Sequence, residues 1–399
     1  MAATKDRRRK PAAAKKGATA APDTFLALEA ELCSIALERE DEVRSLILAL
    51  LSRQHLFLLG VPGTGKSMLA KQIAKRLTGS RHFSLLLSRF TTPEEVFGPP
   101  SLKALRERDV LRRNGDGMLQ QSEVAFLDEI WKSNSAVLNT LLPLLNEREY
   151  HEGGTVTPAP LETMICASNE LPQGEDLGAL YDRILFRHVV RPLSDSGLRS
   201  LLLSPPDTTP KVTVTAPELR EAQAQCAAVR VGEATIDTLM RIRAKLEGVK
   251  GVYVSTRSWA QALGAVRAQA WLAGRTETED TDLLILTHCL WGDPDHRSAV
   301  EVAVIDCAAP ALRELRDLLD LAHEMAANFK GTDDENLRVE AFMKLKGAAV
   351  KATDKAAEIG DSGEVYAEKI RVLYEAARAE NLRRTADRYG MTDLFEEVE

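Results

Sequence analysis

Lys66, Ser67, Asp128 and Glu129 are of the types and spacing that handle a phosphate chain. Gly60-Val61-Pro62-Gly63-Thr64-Gly65-Lys66-Ser67 reads G-x-x-x-x-G-K-S, a glycine-rich phosphate loop. Gly60, Gly63 and Gly65 let the backbone turn tightly and aim its N–H groups inward, with Pro62 and Thr64 completing the loop. Lys66 reaches for the β- and γ-phosphates, and the Ser67 hydroxyl suits Mg²⁺. Further on, Val124-Ala125-Phe126-Leu127-Asp128-Glu129 is an apolar run closed by two carboxylates. Asp128 is placed to hold Mg²⁺ through its water shell. Glu129 is placed to orient and deprotonate a water that attacks the γ-phosphate. The cofactors expected from this set are ATP and Mg²⁺.

Two further segments add polar groups. Met164-Ile165-Cys166-Ala167-Ser168-Asn169 reads as a buried strand ending in an amide, and Asn169 could hydrogen-bond the attacking water or the γ-phosphate. Leu180-Tyr181-Asp182-Arg183-Ile184-Leu185-Phe186-Arg187 then places an arginine on a short helix after that strand. An arginine there cannot easily reach its own nucleotide but can reach one across a subunit boundary, where it stabilises transition-state charge.

The elements that must position these groups are legible around them. Residues 55–59 are an apolar run of strand length. Residues 67–77 carry Met68, Leu69, Ile73 and Leu77 at helical spacing, so the phosphate loop sits between a strand and a helix. The helix dipole adds its positive end to the same anion site. Helices are expected upstream over residues 23–36, with Phe25, Leu28, Leu32 and Ile35 on one face, and over residues 40–51. Their position suits cover for a nucleotide base, without identifying contact residues.

The chain of 399 residues implies two or three domains, and its composition leans towards helix. No apolar run approaches the ~18 residues of a membrane span, and no signal peptide is evident. The five cysteines are scattered without a C-x-x-C pair, which fits a reducing cytoplasm rather than a zinc site or disulfide framework. Residues 1–22 hold seven basic side chains against Asp6, a local charge of +6 that leaves −13 on the rest of a chain of formal net charge −7. This reads as a disordered basic tail on an acidic body.

The order of phosphate loop, Asp-Glu, Asn and late Asp-Arg resembles AAA+ ATPases, an α/β P-loop fold with a parallel sheet. Ser88-Arg89-Phe90-Thr91-Thr92-Pro93-Glu94-Glu95-Val96-Phe97-Gly98-Pro99 is similar to the segment before the helix-2 insert of MoxR-type ATPases. So are Phe126-Leu127-Asp128-Glu129-Ile130-Trp131-Lys132, Leu138-Asn139-Thr140-Leu141-Leu142, Asn146-Glu147-Arg148 and Ala167-Ser168-Asn169-Glu170-Leu171-Pro172, with the closest likeness to the RavA branch. The resemblance is dense over about residues 38–192, thinner to Trp291, and slight beyond. It implies a nucleotide-binding domain over 23–192 with a helix-2 insert near 100–118 and a hairpin near 149–160. The Gly153-Gly154 turn supports that hairpin independently. It further implies that Asn169 is sensor 1, that Arg183 is the arginine finger with Arg187 as second candidate, and that Arg257 is sensor 2. Ser255-Thr256-Arg257-Ser258-Trp259 departs from the branch pattern S-x-R-R-W at Ser258.

Residues 193–292 show amphipathic helices, near 198–203, 217–229, 235–246, 259–273 and 281–291, with no persuasive strand. They fit the all-α lid of such a core, with Trp259, Trp271 and Trp291 as packing anchors. Residues 293–399 fit a C-terminal helical bundle over 311–330, 334–352 and 363–389, with breaks at 331–333 and 360–362. The resemblance implies a homo-hexameric ATPase with a protein substrate, acting in chaperone-like fashion with a von Willebrand factor A domain protein. An AAA+ nucleic-acid motor and a nucleotide-switched scaffold are the alternatives. The acidic body and an insert without a stacking platform make nucleic acid the weaker partner.

Overall fold

The computed structural model describes residues 21–110, 112–332, 334–359 and 361–389. The basic tail therefore lies outside the described residues as far as residue 20, as do Leu111 of the expected insert, Asp333 and Gly360 of the expected breaks, and residues 390–399 of the expected C-terminal domain.

Two helices come first, α1 (Pro22–Ile35) and α2 (Glu40–Ser52). Pro22 opens α1, where its missing N–H costs nothing. α1 buries Phe25, Leu28, Leu32 and Ile35, whereas α2 is buried almost continuously from Val43 to Leu51. A helix apolar on every side is one enclosed by protein. β1 (Leu56–Leu59) leads through the glycine loop into α3 (Lys66–Arg76). There follow β2 (Leu77–Thr78), β3 (His82–Leu86), α4 (Pro93–Phe97), α5 (Leu102–Arg108), β4 (Val124–Asp128) and α6 (Ser135–Asn146). The hairpin β5 (Glu149–Glu152) and β6 (Thr155–Pro158) precedes β7 (Thr163–Ser168), α7 (Glu175–Tyr181) and β8 (Phe186–Val189). Gly153 and Gly154 both have positive φ, as a two-residue turn matching strand twist requires.

The main sheet is parallel, in the order β3-β4-β7-β1-β8. Alternate side chains go to opposite faces. Leu56 and Leu58 of β1, Phe126 of β4 and Ile165 of β7 join one core with α1 and α2. Phe57, Ala125, Leu127, Met164 and Cys166 join a second core with α4 and α6. A sheet covered on both faces needs strands apolar throughout, which is why β7 is buried at all six positions.

The first core runs on into α9 (Ala216–Ala228), α10 (Glu233–Glu247), α11 (Thr256–Leu272) and α12 (Arg297–Ala308), so the helical lid packs on α1 and α2. Before them lie α8 (Asp195–Leu203) and β9 (Val214–Thr215). β9 pairs in parallel with β2 over two residues, a strand in the expected all-helical lid that is too short to leave a periodic signal. Residues 280–288 depart from the expected α-helix and form a 3₁₀ helix, Asp280–His288. Leu283, Leu286 and Cys289 are buried at a spacing of three, the repeat of a 3₁₀ turn. Trp271 and Trp291 are buried and Trp259 packs partly against the same core, as expected of anchors.

A third core, formed by α13 (Arg313–Gly331), α14 (Glu335–Ile359) and α15 (Asp361–Tyr389), is the C-terminal bundle. α14 runs seven residues beyond the expected 352, because Ala356 continues its buried alanine face. Lys369 of α15 reaches Asp41 of α2 at 3.2 Å.

Candidate nucleotide site

The phosphate loop leaves the carboxyl end of β1, where parallel sheets present ligands. Gly63 and Gly65 have φ of +84° and +88°, in the left-handed region that glycine adopts without strain. Gly60 is required for another reason: a Cβ there would stand 2.4 Å from the Val190 carbonyl oxygen. Pro62 lies exposed on the loop, and the Thr64 hydroxyl donates to the Val61 carbonyl at 3.0 Å. Lys66 opens α3 and is buried, its Nζ donating to the Gly60 and Val61 carbonyls at 2.6 and 3.0 Å. Burial lowers its pKa, and the carboxylates of Asp128 and Glu129 oppose that shift.

Ser67 Oγ donates to Asp128 Oδ2 at 3.2 Å, across the intervening end of β7. The other oxygen, Asp128 Oδ1, accepts the Glu129 N–H at 3.1 Å. Glu129 adopts φ +54°, a turn that ends β4 and starts a short 3₁₀ segment through Trp131. Its Oε2 lies 3.1 Å from Lys132 Nζ but has no hydrogen bond of good geometry. β7 sets Ala167 opposite Asp128 and Ser168 opposite Leu59. Asn169, the next residue, is therefore exposed between the ends of β4 and β1.

Phe57, Trp131 and Tyr181 support this floor, with ring centroids 5.4 to 5.8 Å apart. The two arginines after α7 differ sharply. Arg183 follows the helix in a turn, partly exposed, with Nη1 donating to the Ala179 carbonyl at 2.7 Å. Burial lowers its pKa, and the nearby Arg257 guanidinium pushes the same way. Arg187 lies in β8, buried, and donates to the carbonyls of Ile184, Tyr181 and Trp291 while stacking over the Tyr181 ring. It is locked into the core. Arg257, in the first turn of α11, donates to Asp182 Oδ2 at 2.9 Å, and Ser258 Oγ donates to Asp182 Oδ1 at 3.2 Å. The lid arginine and Arg183 thus share one cluster, while Lys66, Ser67, Asp128, Glu129 and Asn169 form another.

Beside the loop lies a cavity of about 140 Å³ walled by Ile35, Leu37, Arg39 and Glu42 on one side, Gly63 to Lys66 on the second, and Val190, Leu193 and Leu201 on the third. These walls were not identified from the sequence. They come from three distant segments, and only the position of the first two helices before β1 hints at them. Its apolar lining next to a phosphate loop suits a nucleotide base. A second cavity, of about 430 Å³, lies between α6 and α7.

The oxygen donors of Ser67 and Asp128 suit a hard cation such as Mg²⁺, which takes one or two protein ligands plus substrate phosphates. Among the described residues no group of three or more His, Cys, Asp or Glu side chains is arranged to hold a metal ion, and no helix is long and apolar enough to cross a membrane.

A parallel sheet with a phosphate loop after β1, one strand in from the β8 edge, paired carboxylates two strands away on β4 and a helical lid defines an AAA+ protein. Residues 26–226 match the family described as the MoxR domain in the MoxR-vWA-beta-propeller ternary systems, and residues 234–304 match an AAA lid domain. The chain belongs to the MoxR family of AAA+ proteins. An uncharacterized protein of Methanocaldococcus jannaschii is 37% identical over 325 residues, 79% of this chain and 85% of that one. The chaperone MoxR1 of Mycobacterium tuberculosis is 24% identical over 249 residues, 61% of this chain and 62% of that one. A crystal structure of a candidate ATPase from Cytophaga hutchinsonii shares the fold, with a TM-score of 0.56 at 17% identity over 71% of this chain and 94% of that one.

Proposed function

We propose that this protein is a Mg-dependent ATPase that works as a ring, most simply a homo-hexamer, and couples turnover to chaperone-like remodelling or assembly of protein partners. The observation that carries the reading is the 3.2 Å contact of Ser67 Oγ with Asp128 Oδ2. It brings the two motifs to one point, beside Lys66 and below Glu129.

In this reading the loop N–H groups and Lys66 bind the phosphates, and the base enters the cavity beside Arg39. Ser67 and Asp128 would hold Mg²⁺, which when bound neutralises phosphate charge. Glu129 takes a proton from the attacking water and Asn169 orients that water. Arg183 approaches the γ-phosphate of a neighbouring subunit, and Arg257 couples the lid to the nucleotide state through Asp182. No site is complete in one subunit.

A von Willebrand factor A domain protein is the partner we propose, because the matching family is described from MoxR-vWA-beta-propeller systems. The name of MoxR1 supports a chaperone role. Within the family we place the chain nearest the RavA branch, on the likeness of the core segments and of Ser255, Arg257 and Trp259, with Ser258 as the departure from that branch's lid motif. A cytoplasmic setting goes with this reading, since all five cysteines are free thiols. The test is a trap: Glu129→Gln loaded with ATP, captured from lysate of the protein's own cell. Retention of a von Willebrand factor A domain protein supports the reading. Nuclease-sensitive nucleic acid with no stable protein partner would replace it with a motor.

A further inference from the structure

We propose that Glu38 and Arg39 form a clasp that fixes the lid against the phosphate loop and so sets how tightly, and for how long, nucleotide is held. The inference rests on the nucleotide site proposed above. Arg39 is buried, and its three hydrogen bonds all go to main-chain carbonyls. One is its neighbour Glu38, at 2.6 Å. A second is Thr64 in the phosphate loop, at 3.4 Å. The third is Arg191, where the chain leaves β8 for the lid. A planar guanidinium can bridge these directions at once, which a lysine ammonium on a flexible stem cannot do with the same geometry.

Glu38 extends the clasp by one step. Its carboxylate accepts the Ser194 N–H at 2.9 Å and also the Ser194 hydroxyl. Ser194 is the N-cap of α8, where its Oγ also accepts the Gly197 N–H at 3.0 Å. The carboxylate thus lies at the positive end of the first lid helix. Gly197 leaves room for it, since a Cβ there would stand 2.3 Å from Glu38 Oε1. Glu38 takes this position with φ of +57°, a conformation unusual for a residue with a side chain. A four-residue loop between α1 and α2 therefore touches the phosphate loop, the β8 exit and α8 together. The same three segments wall the cavity, and Leu201 of α8 lines it while α8 buries no residue of its own. With so little packing to hold α8, the Glu38–Ser194 bonds decide where Leu193 and Leu201 stand over the base.

Arg39 and Glu38 are positioning residues in this account, and the signature is a split between affinity and turnover. The experiment uses the full chain and a fluorescent N-methylanthraniloyl ATP, read by equilibrium titration and stopped-flow chase, with phosphate release alongside. Arg39→Ala is expected to weaken binding about tenfold to hundredfold, as loss of several charge-assisted hydrogen bonds does. Most of the change should lie in a faster dissociation rate and a higher KM, with a smaller change in kcat. Arg39→Lys should recover part of the affinity. Ser194→Ala, at an exposed position, guards against misfolding of the first variant and should speed dissociation by about threefold to tenfold. Unchanged dissociation in both Ser194→Ala and a folded Arg39→Ala overturns the clasp. If Arg39→Ala fails to fold, unchanged dissociation in Ser194→Ala alone overturns it. A wild-type chain that binds no nucleotide instead overturns the site on which the clasp rests.

Discussion

Asp182 holds Arg257 and stands next in sequence to Arg183, so one carboxylate joins the first turn of a lid helix to the arginine turn of the core. The link is partly exposed, with side chains of Asp182 and Arg257 at 30% and 37% of full accessibility. An exposed pair of this kind adds at most about 1 kcal/mol to stability. Its value lies in position. Asp182→Ala should leave the melting temperature nearly unchanged while lowering ATP turnover in the assembled state. A loss of several degrees with full turnover would reverse that assignment.

Arg183 and Arg187 should separate cleanly. Arg183→Ala is expected to remove turnover by a factor on the order of 10³–10⁵, the range for a transition-state arginine, with little loss of stability. Mixing it with Glu129→Gln subunits should restore some sites, because each supplies what the other lacks. Arg187→Ala should instead cost about 2–4 kcal/mol, since it strands three buried carbonyls and removes a cation–π contact. Thermal melts and mixing titrations check both. Failure of every mixing ratio to recover activity would count against an arginine acting between subunits.

Gly60→Ala tests the close approach of β1 to the β8 exit. The added methyl would meet the Val190 backbone, which cannot swing away as a side chain does. The expected cost is about 1–3 kcal/mol, together with weaker nucleotide binding as the loop shifts. Gly63→Ala meets open space but keeps a positive φ. Its penalty should be about 1–2 kcal/mol. Denaturant melts of the two variants give the comparison.

Acid should unfold this protein through buried histidines. His188 and His288 stack with centroids 4.4 Å apart, and Ser45 Oγ lies 2.8 Å from His188 Nε2. Burial holds His188 and His55 well below their usual pKa and pushes His288 down to about 4. Asp41, Arg297 and Lys369 act on both members of the pair. An unfolded chain binds protons at these histidines below about pH 6.5, so their stabilisation is complete above that pH and is lost as pH falls towards 4. Glu42, pushed up to about 7 by burial, works in the opposite sense, its contribution fading as pH rises from 4.5 to 7. Three histidines outweigh one carboxyl. The melting temperature should therefore fall between pH 6.5 and 5, and His288→Phe should flatten that slope. A melting temperature constant across the window would contradict it.

Strands β1, β4 and β7 and the phosphate loop were legible because their signals are local: four to six apolar residues, then glycines at fixed spacing, whereas β3 and β8, interrupted by His82, Ser84, Arg187 and His188, were not read as strands. Asp128 and Glu129 were legible for the same reason. What the sequence left hidden was assembled from distant pieces. Arg39 gives no sign in its own segment that it will meet Thr64 and Arg191, and Leu201 reads as an ordinary helix position. The pairing of Leu77 with Val214 spans too few residues to show a period. Arg183 and Arg187 are four residues apart with similar neighbours, and only the fold separates a partly exposed turn from a buried strand.

The measurement that bears most directly on the central claim is phosphate release from ATP by the purified full chain, with and without Mg²⁺, beside Glu129→Gln. The account predicts Mg-dependent release by the wild type. It predicts none above background from Glu129→Gln, although that variant still binds fluorescent ATP and still assembles. Release by Glu129→Gln at the wild-type rate would contradict the role given to that carboxylate. A wild type that neither binds nor hydrolyses ATP would contradict the site as a whole.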